Sequence, residues 1–128
     1  MNESAFNSWL RDRLPGMSVR IENAIGSGLP DIALFHEGHT YWIESKVGKN
    51  PLLRPYQFTM HLRMWSHGGV NVLIFLLDGD VVRVYCAPYK AHMHQKYYLI
   101  DSDPVWSGNK STLSTVEICG ILKKVAMV

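Results

Sequence analysis

The residue types that can do chemistry at a useful spacing fall in one stretch, Gly28-Leu29-Pro30-Asp31 through Glu44-Ser45-Lys46. Two runs rich in β-formers, 31–35 (DIALF) and 40–47 (TYWIESKV), flank His36-Glu37-Gly38-His39, the pattern of a β-hairpin. A two-residue loop that closes His36 on His39 and a four-residue loop that closes Phe35 on Thr40 share one register, which puts Asp31 directly opposite Glu44. Cβ atoms so paired lie roughly 4.5–5.5 Å apart on one face. Two carboxylates at that distance repel unless a cation sits between them. Mg²⁺ suits the place, because it is usually held by one or two carboxylates and keeps open positions for phosphate. Strand alternation sends Lys46 to the face of Glu44 and Ser45 to the other. An ammonium beside the acid pair can orient a water or neutralise charge building on a phosphorane. The bland alternative is a turn aspartate followed by a solvated Glu-x-Lys ion pair. Against it stands the coincidence of Pro-Asp, hairpin register, Glu-x-Lys and a glutamine-bearing helix immediately afterwards.

Other elements must hold this hairpin in place. Asn2 caps a first helix with Phe6, Trp9, Leu10 and Leu14 as its apolar stripe, ended by Pro15-Gly16. Residues 17–25 read as a strand, followed by a break at Gly26-Ser27-Gly28. Pro55 starts a second helix that runs to about Ser66 with Phe58, Leu62 and Trp65 inward, and Gly68-Gly69 ends it. Residues 70–77 (VNVLIFLL) lack polar alternation, as in a strand buried on both faces. Asp78-Gly79 turns into a further strand over 81–87, closed by Pro88. Residues 96–100 suit another strand, and 112–128 suit helix or strand equally. The order predicts an α/β domain: helix, three-strand antiparallel meander, helix and two further strands, in a mixed central sheet flanked by helices.

A length of 128 residues fits a single domain over 1–128, with a core at 3–87 and a C-terminal extension at 88–128. With 47% hydrophobic and 19% charged residues, the balance is that of an ordinary globular chain and argues against intrinsic disorder. The net charge of +2 permits nucleic-acid binding without arguing for it. Cys86 and Cys119 have neither metal-type spacing nor a disulfide framework. The first residues lack a signal pattern and no apolar run is long enough to span a bilayer, so a cytoplasmic location is expected.

Pro30-Asp31 with Glu44-Ser45-Lys46 resembles the PD-(D/E)XK nuclease signature. The element order is that of its restriction-endonuclease-like core. Within that superfamily, residues 3–87 look like the virus-type replication-repair nuclease module (VRR-NUC) and the archaeal Holliday-junction resolvases. Glu3, the Gly/Ser segment before Pro-Asp and Gln57 are the shared features. The resemblance implies Mg²⁺ or Mn²⁺ on Asp31, Glu44 and the Ser45 main-chain carbonyl. It also implies Lys46 serving the nucleophilic water and Gln57 at the rim, supporting the metal site or a phosphate. Glu3 would be an additional acid, or simply a first-turn residue complementing the helix dipole. The expected activity is hydrolysis of DNA, branched DNA in particular, by a homodimer from a viral or mobile-element source. A non-catalytic binding module on the same fold and a nuclease of single-stranded DNA or RNA are the competing readings.

Weaker signals surround this core. Lys49, Arg54 and Arg63 are candidate phosphate contacts, with Arg11, Arg13 and Arg20 as a second set. Each also suits an ordinary solvated face. Ser27 and Gly28 offer close approach to a DNA backbone. His92-x-His94 with His61, His67 or Cys86 lacks the paired spacing of structural zinc. Tyr97, Tyr98 and Trp106 suit base stacking less well than packing. The apolar segment Val116, Ile118, Ile121, Leu122 and Val125 suits a two-fold interface or the chain's own sheet.

Overall fold

The structure is a computed structural model that describes residues 1–21 and 27–126. In chain order these form α1 (Glu3–Arg11), β1 (Met17–Arg20), β2 (Ile32–His36), β3 (His39–Val47), β4 (Leu52–Leu53), α2 (Pro55–Gly68), β5 (Asn71–Asp78), β6 (Val81–Cys86), β7 (Ala91–His94), β8 (Tyr97–Ile100), β9 (Trp106–Asn109) and α3 (Thr115–Ala126). The main sheet among the described residues runs β1-β2-β3-β5-β6-β9, and a small one runs β4-β8-β7. In the main sheet β3 and β5 are parallel, joined by a crossover through α2, and the other pairs are antiparallel. The result is a mixed α/β domain with a restriction-endonuclease-like fold.

The hairpin closes as its sequence requires. Glu37 and Gly38 both have positive φ, at 50° and 78°, the twist that matches two antiparallel strands. His36 pairs with His39 and Ile32 with Ile43, and Asp31, just past the end of β2, lies beside Glu44. Pro30, which has no N–H to give, ends the ladder there.

Each face of the main sheet carries its own core. On one face α1 supplies Phe6 and Leu10 and α3 supplies Ile118, Ile121, Leu122 and Val125, packed with Ile43, Leu73, Phe75 and Leu77. The Tyr41 hydroxyl donates to the Leu122 carbonyl at 3.3 Å, tying α3 to β3. On the other face Val72, Ile74 and Leu76 meet Leu53, Ile100, Phe58 and Leu62 from the small sheet and α2. Successive residues of β5 thus enter opposite cores, which is why the strand has no polar positions between Val72 and Leu77. Each such side chain contributes roughly 1.5–3 kcal/mol of burial.

Several boundaries differ from the sequence expectation. α1 stops at Arg11, short of Leu14, and α2 continues to Gly68 before Gly69 takes the left-handed conformation that caps it. The expected strand over 17–25 is observed from Met17 to Arg20, and 22–25 lie outside the described residues. Trp65 does not join the inward face of α2. It is 42% exposed, and His61 takes the buried place instead. Within the segment 112–128, Thr115–Ala126 form a helix, with the Ser114 hydroxyl accepting from the Glu117 N–H at 3.2 Å, and 127–128 lie outside the described residues. β4, β7 and β9 escaped the sequence reading, being four residues or fewer with little apolar alternation.

The approach to Asp31 is fixed by Gly28. Its φ is +79°, and a Cβ there would collide with the Tyr56 carbonyl and press on Met60. The close approach expected of a DNA backbone at Gly28 is therefore made by α2 of the chain itself. Gly28→Ala is expected to lower stability by about 2–4 kcal/mol, from backbone strain plus the clash. A urea titration with an unchanged midpoint would contradict this packing.

Candidate metal and phosphate site

The site grows out of β3, whose alternation splits three consecutive residues between two layers. Ser45 faces α1, while Glu44 and Lys46 face α2. Because β2 ends at Ile32, the Ser45 N–H has no ladder partner and donates to Asp31 Oδ2 at 3.1 Å. The Ser45 hydroxyl donates to the same oxygen, also at 3.1 Å. The Ser45 carbonyl leaves β3 from the same edge as its N–H, past the last β2 pair, and so faces the Asp31 side. The Asn7 amide on α1 donates to Ser45 Oγ at 3.1 Å, and Arg11 Nε donates to Asn7 Oδ1 at 2.9 Å. A polar chain, buried at Asn7 and Ser45, thus runs from Arg11 to Asp31.

Glu44 is 3% exposed. Burial pushes its carboxyl well above the usual range, and the adjoining Asp31 adds repulsion and a hydrogen-bonding contact that favours the protonated acid. Glu3, at the start of α1, pushes in the same direction, and the Lys46 ammonium opposes it. Lys46 Nζ lies 3.7 Å from Glu44 Oε2 and donates to Gln57 Oε1 at 3.4 Å. Gln57 Oε1 also accepts the Arg54 N–H at 3.0 Å, the reach-back half of a capping box. Arg54, with no side-chain acceptor, cannot complete that box. One amide therefore starts α2 and holds the lysine.

His61, one turn beyond Gln57 on α2, is fully buried with Nε2 3.9 Å from Glu44 Oε1. That is too long for a hydrogen bond. Glu44 Oε1 and both His61 ring nitrogens have no partner among the described residues. Burial, with help from Lys46, brings the imidazole down to about 3, so the ring is neutral at ordinary pH. An unsatisfied buried polar atom costs about 1–3 kcal/mol, more when charged. The arrangement as it stands is electrostatically incomplete.

A hard divalent cation fits that incompleteness. Asp31 has one oxygen committed to Ser45, Glu44 has an oxygen orphaned among the described residues, and the Ser45 carbonyl faces the same side. All are oxygens, the donor class that Mg²⁺ and Mn²⁺ prefer. Among the described residues no group of three or more His, Cys, Asp or Glu side chains could hold a metal. The zinc arrangement thus finds no support. His92 instead contacts Asp101 at 2.8 Å, and burial pushes the Cys86 thiol up to about 11.

The other sequence candidates scatter. Glu3, Lys46, Lys49, Arg54 and Tyr97 line one open cleft of about 390 Å³ at the end of β3. Arg63 is exposed and about 240° around α2 from Gln57, so the structure does not bring it to this cleft. Arg13 lies over the Trp9 ring at 3.9 Å, Arg11 is held by Asn7, and Arg20 sits exposed on edge strand β1. The Ser27 hydroxyl accepts from the Leu29 N–H, shaping the turn into Pro30. Tyr98 packs on Phe58 with centroids 4.3 Å apart, and Trp106 bonds Glu117 while packing against the α3 core. Asn7 and His61 are the site neighbours that sequence reasoning missed. Both could have been found from helical spacing: Asn7 one turn before Arg11, and His61 one turn after Gln57.

No protein-family model and no curated protein sequence matches this chain. Its fold is similar to that of Hjc from Archaeoglobus fulgidus, a Holliday junction resolvase from an archaeal hyperthermophile, with a TM-score of 0.62. The two share 16% identity over 92% of this chain and 95% of that one. The likeness is one of fold, spanning nearly the whole of both chains.

The raised Glu44 carboxyl carries a stability consequence. Above the ordinary glutamate range, the unfolded chain releases this proton readily and the folded chain does not, so metal-free stability falls as pH rises. Glu44→Gln is expected to raise the melting temperature of metal-free protein at pH 8 by several degrees, with a smaller gain at pH 5. Equal melting temperatures for the two proteins across that range would contradict the buried, cation-poor setting of Glu44.

Proposed function

We propose that this chain is a divalent-metal-dependent nuclease that hydrolyses DNA phosphodiesters, with branched DNA as its preferred substrate. The observation that carries the proposal is the buried Glu44 carboxyl beside the half-buried Asp31, with the Lys46 ammonium 3.7 Å from Glu44 and the Gln57 amide holding the lysine. Asp31, Glu44 and the Ser45 carbonyl would hold Mg²⁺ or Mn²⁺. The bound ion would polarise the phosphate and lower the pKa of the attacking water. Lys46, fixed between a carboxylate and an amide, is placed to orient that water or to neutralise charge on the phosphorus oxygens. Gln57 acts on the lysine and Asn7, through Ser45, acts on Asp31, so both serve as positioning residues.

Lys49 and Arg54 flank the same cleft and suit two backbone phosphates of the strand being cut, while Tyr97 offers an aromatic face beside them. Glu3 at the cleft's edge is suited to a second cation or to excluding misplaced phosphate. The preference for branched DNA is supported by the fold shared with a Holliday junction resolvase. A two-fold assembly presenting two such sites would suit a four-way junction. The chain's source in a virus or mobile element is part of the same proposal.

The test is cleavage of linear duplex, single strand, flap and four-way junction DNA, with an RNA hairpin alongside, in Mg²⁺ and in Mn²⁺. The four-way junction is expected to be cut fastest, and EDTA is expected to stop the reaction. Asp31→Ala should abolish cleavage while junction binding survives, and Lys46→Ala should slow it by about 10²–10³-fold. Binding without cutting in either metal would favour a non-catalytic module, and preferential cutting of the hairpin or single strand would redirect the substrate assignment. Lys49→Ala and Arg54→Ala should each lower the slope of log affinity against log salt by about one, whatever the DNA sequence. Unchanged slopes would remove the cleft from the DNA path.

A further inference from the structure

We propose that His61 is a positioning residue for the metal site: its Nε2–H is the donor that fixes the Glu44 carboxylate once a cation holds that carboxylate ionised. The inference rests on the metal-dependent reading above. It starts from two facing, fully enclosed atoms, His61 Nε2 and Glu44 Oε1, which are 3.9 Å apart with no other partner among the described residues. Closing that gap to a hydrogen bond requires a contraction of only about 1 Å. The contraction would satisfy an orphaned donor and an orphaned acceptor together.

Rigid packing limits which groups can make that move. His61 is the fully buried residue of α2, braced by the Tyr89 ring with centroids 5.9 Å apart, and Tyr89 is itself anchored to the Val72 carbonyl. The same helix face carries Gln57 one turn earlier, aimed at Lys46. α2 therefore addresses both site residues of β3, one through an amide and the other through an imidazole. On the acid, Oε2 lies toward the ammonium and Oε1 toward the ring. A neutral Nε2–H at Oε1 would stabilise the ionised carboxylate without adding a charge that repels the cation. Removal of such an outer partner typically costs 10–100-fold in metal affinity.

The test is Mn²⁺ titration by calorimetry on intact wild-type protein, His61→Leu and His61→Gln, with metal-free melting temperatures as a check on folding. His61→Leu is expected to weaken Mn²⁺ binding about 10–100-fold, and His61→Gln, which restores an N–H at similar reach, to recover most of it. Equal affinity in wild type and His61→Leu, or loss in both variants while both stay folded, would overturn the inference and leave the nuclease reading intact. Absence of Mn²⁺ binding by wild type would overturn both. A measurement on wild type alone guards against variants that do not fold. On addition of Mg²⁺, the His61 Nε2–H proton resonance should move downfield as its hydrogen bond closes. A resonance that stays in place at saturating Mg²⁺ would overturn the positioning role.

Discussion

A buried carboxylate next to a second carboxylate is the constraint around which this molecule is organised. Glu44 is almost wholly enclosed, Asp31 stands against it, and taking such a charge out of water costs several kcal/mol even after relaxation. Lys46 at 3.7 Å and the two Ser45 bonds to Asp31 offset part of that, yet among the described residues Glu44 Oε1 still has nothing to accept from. No local interaction explains why the chain tolerates it. The tolerance comes from the sheet. β3 is paired on both sides, antiparallel to β2 and parallel to β5, and β5 is packed into cores on both faces. Two cores' worth of apolar burial hold the pair in a place neither acid would choose in solution.

The sheet also lets one strand be steered from two layers. Because successive side chains of β3 point to opposite faces, α1 reaches Asp31 through Ser45 and Asn7, while α2 reaches Lys46 through Gln57. A site supported by one layer alone would drift with that layer. Here displacement of either helix relative to β3 disturbs one half of the constellation and leaves the other as a reference. Site geometry must hold within about 0.5 Å to be productive, and support from both faces of a rigid strand supplies that precision better than a loop would.

The features legible in the sequence were those governed by short-range rules. The hairpin register depends on a two-residue turn, so the pairing of Ile32–His36 with His39–Ile43 followed from counting, and with it the nearness of Asp31 to Glu44. The wholly apolar run at 72–77 announced a strand covered on both faces, and Pro55 and Gly69 marked the limits of α2. The remainder depends on distant partners. Which of the arginines meets the cleft is decided by how far around a helix each lies and by whether an aromatic ring claims it first, as Trp9 claims Arg13. Gly28 resembled an opening for a ligand backbone because sequence shows permissiveness without showing what fills the space, here the Tyr56 carbonyl. His61 resembled a zinc candidate or an ordinary core residue until α2 was docked over Glu44. The small sheet β4-β8-β7 was the least visible element, since its two-residue strand β4 gains meaning only from pairing with β8.

Fold similarity at 16% identity constrains the backbone and leaves the chemistry to be argued from individual side chains. In this chain the argument turns on what surrounds the acids. A structural ion pair would match charges and leave nothing orphaned. Here two acids and one lysine share a site, Glu44 is pushed toward its protonated form, and a neutral, fully buried imidazole supplies no compensating charge. That imbalance has no benefit for folding, because replacing buried ionic groups with apolar ones of similar volume is often neutral or stabilising. Retaining it makes physical sense where a cation supplies the missing charge. The cleft beside it, with Lys46, Lys49 and Arg54 along its walls, is suited to the polyanion that such a cation would bridge.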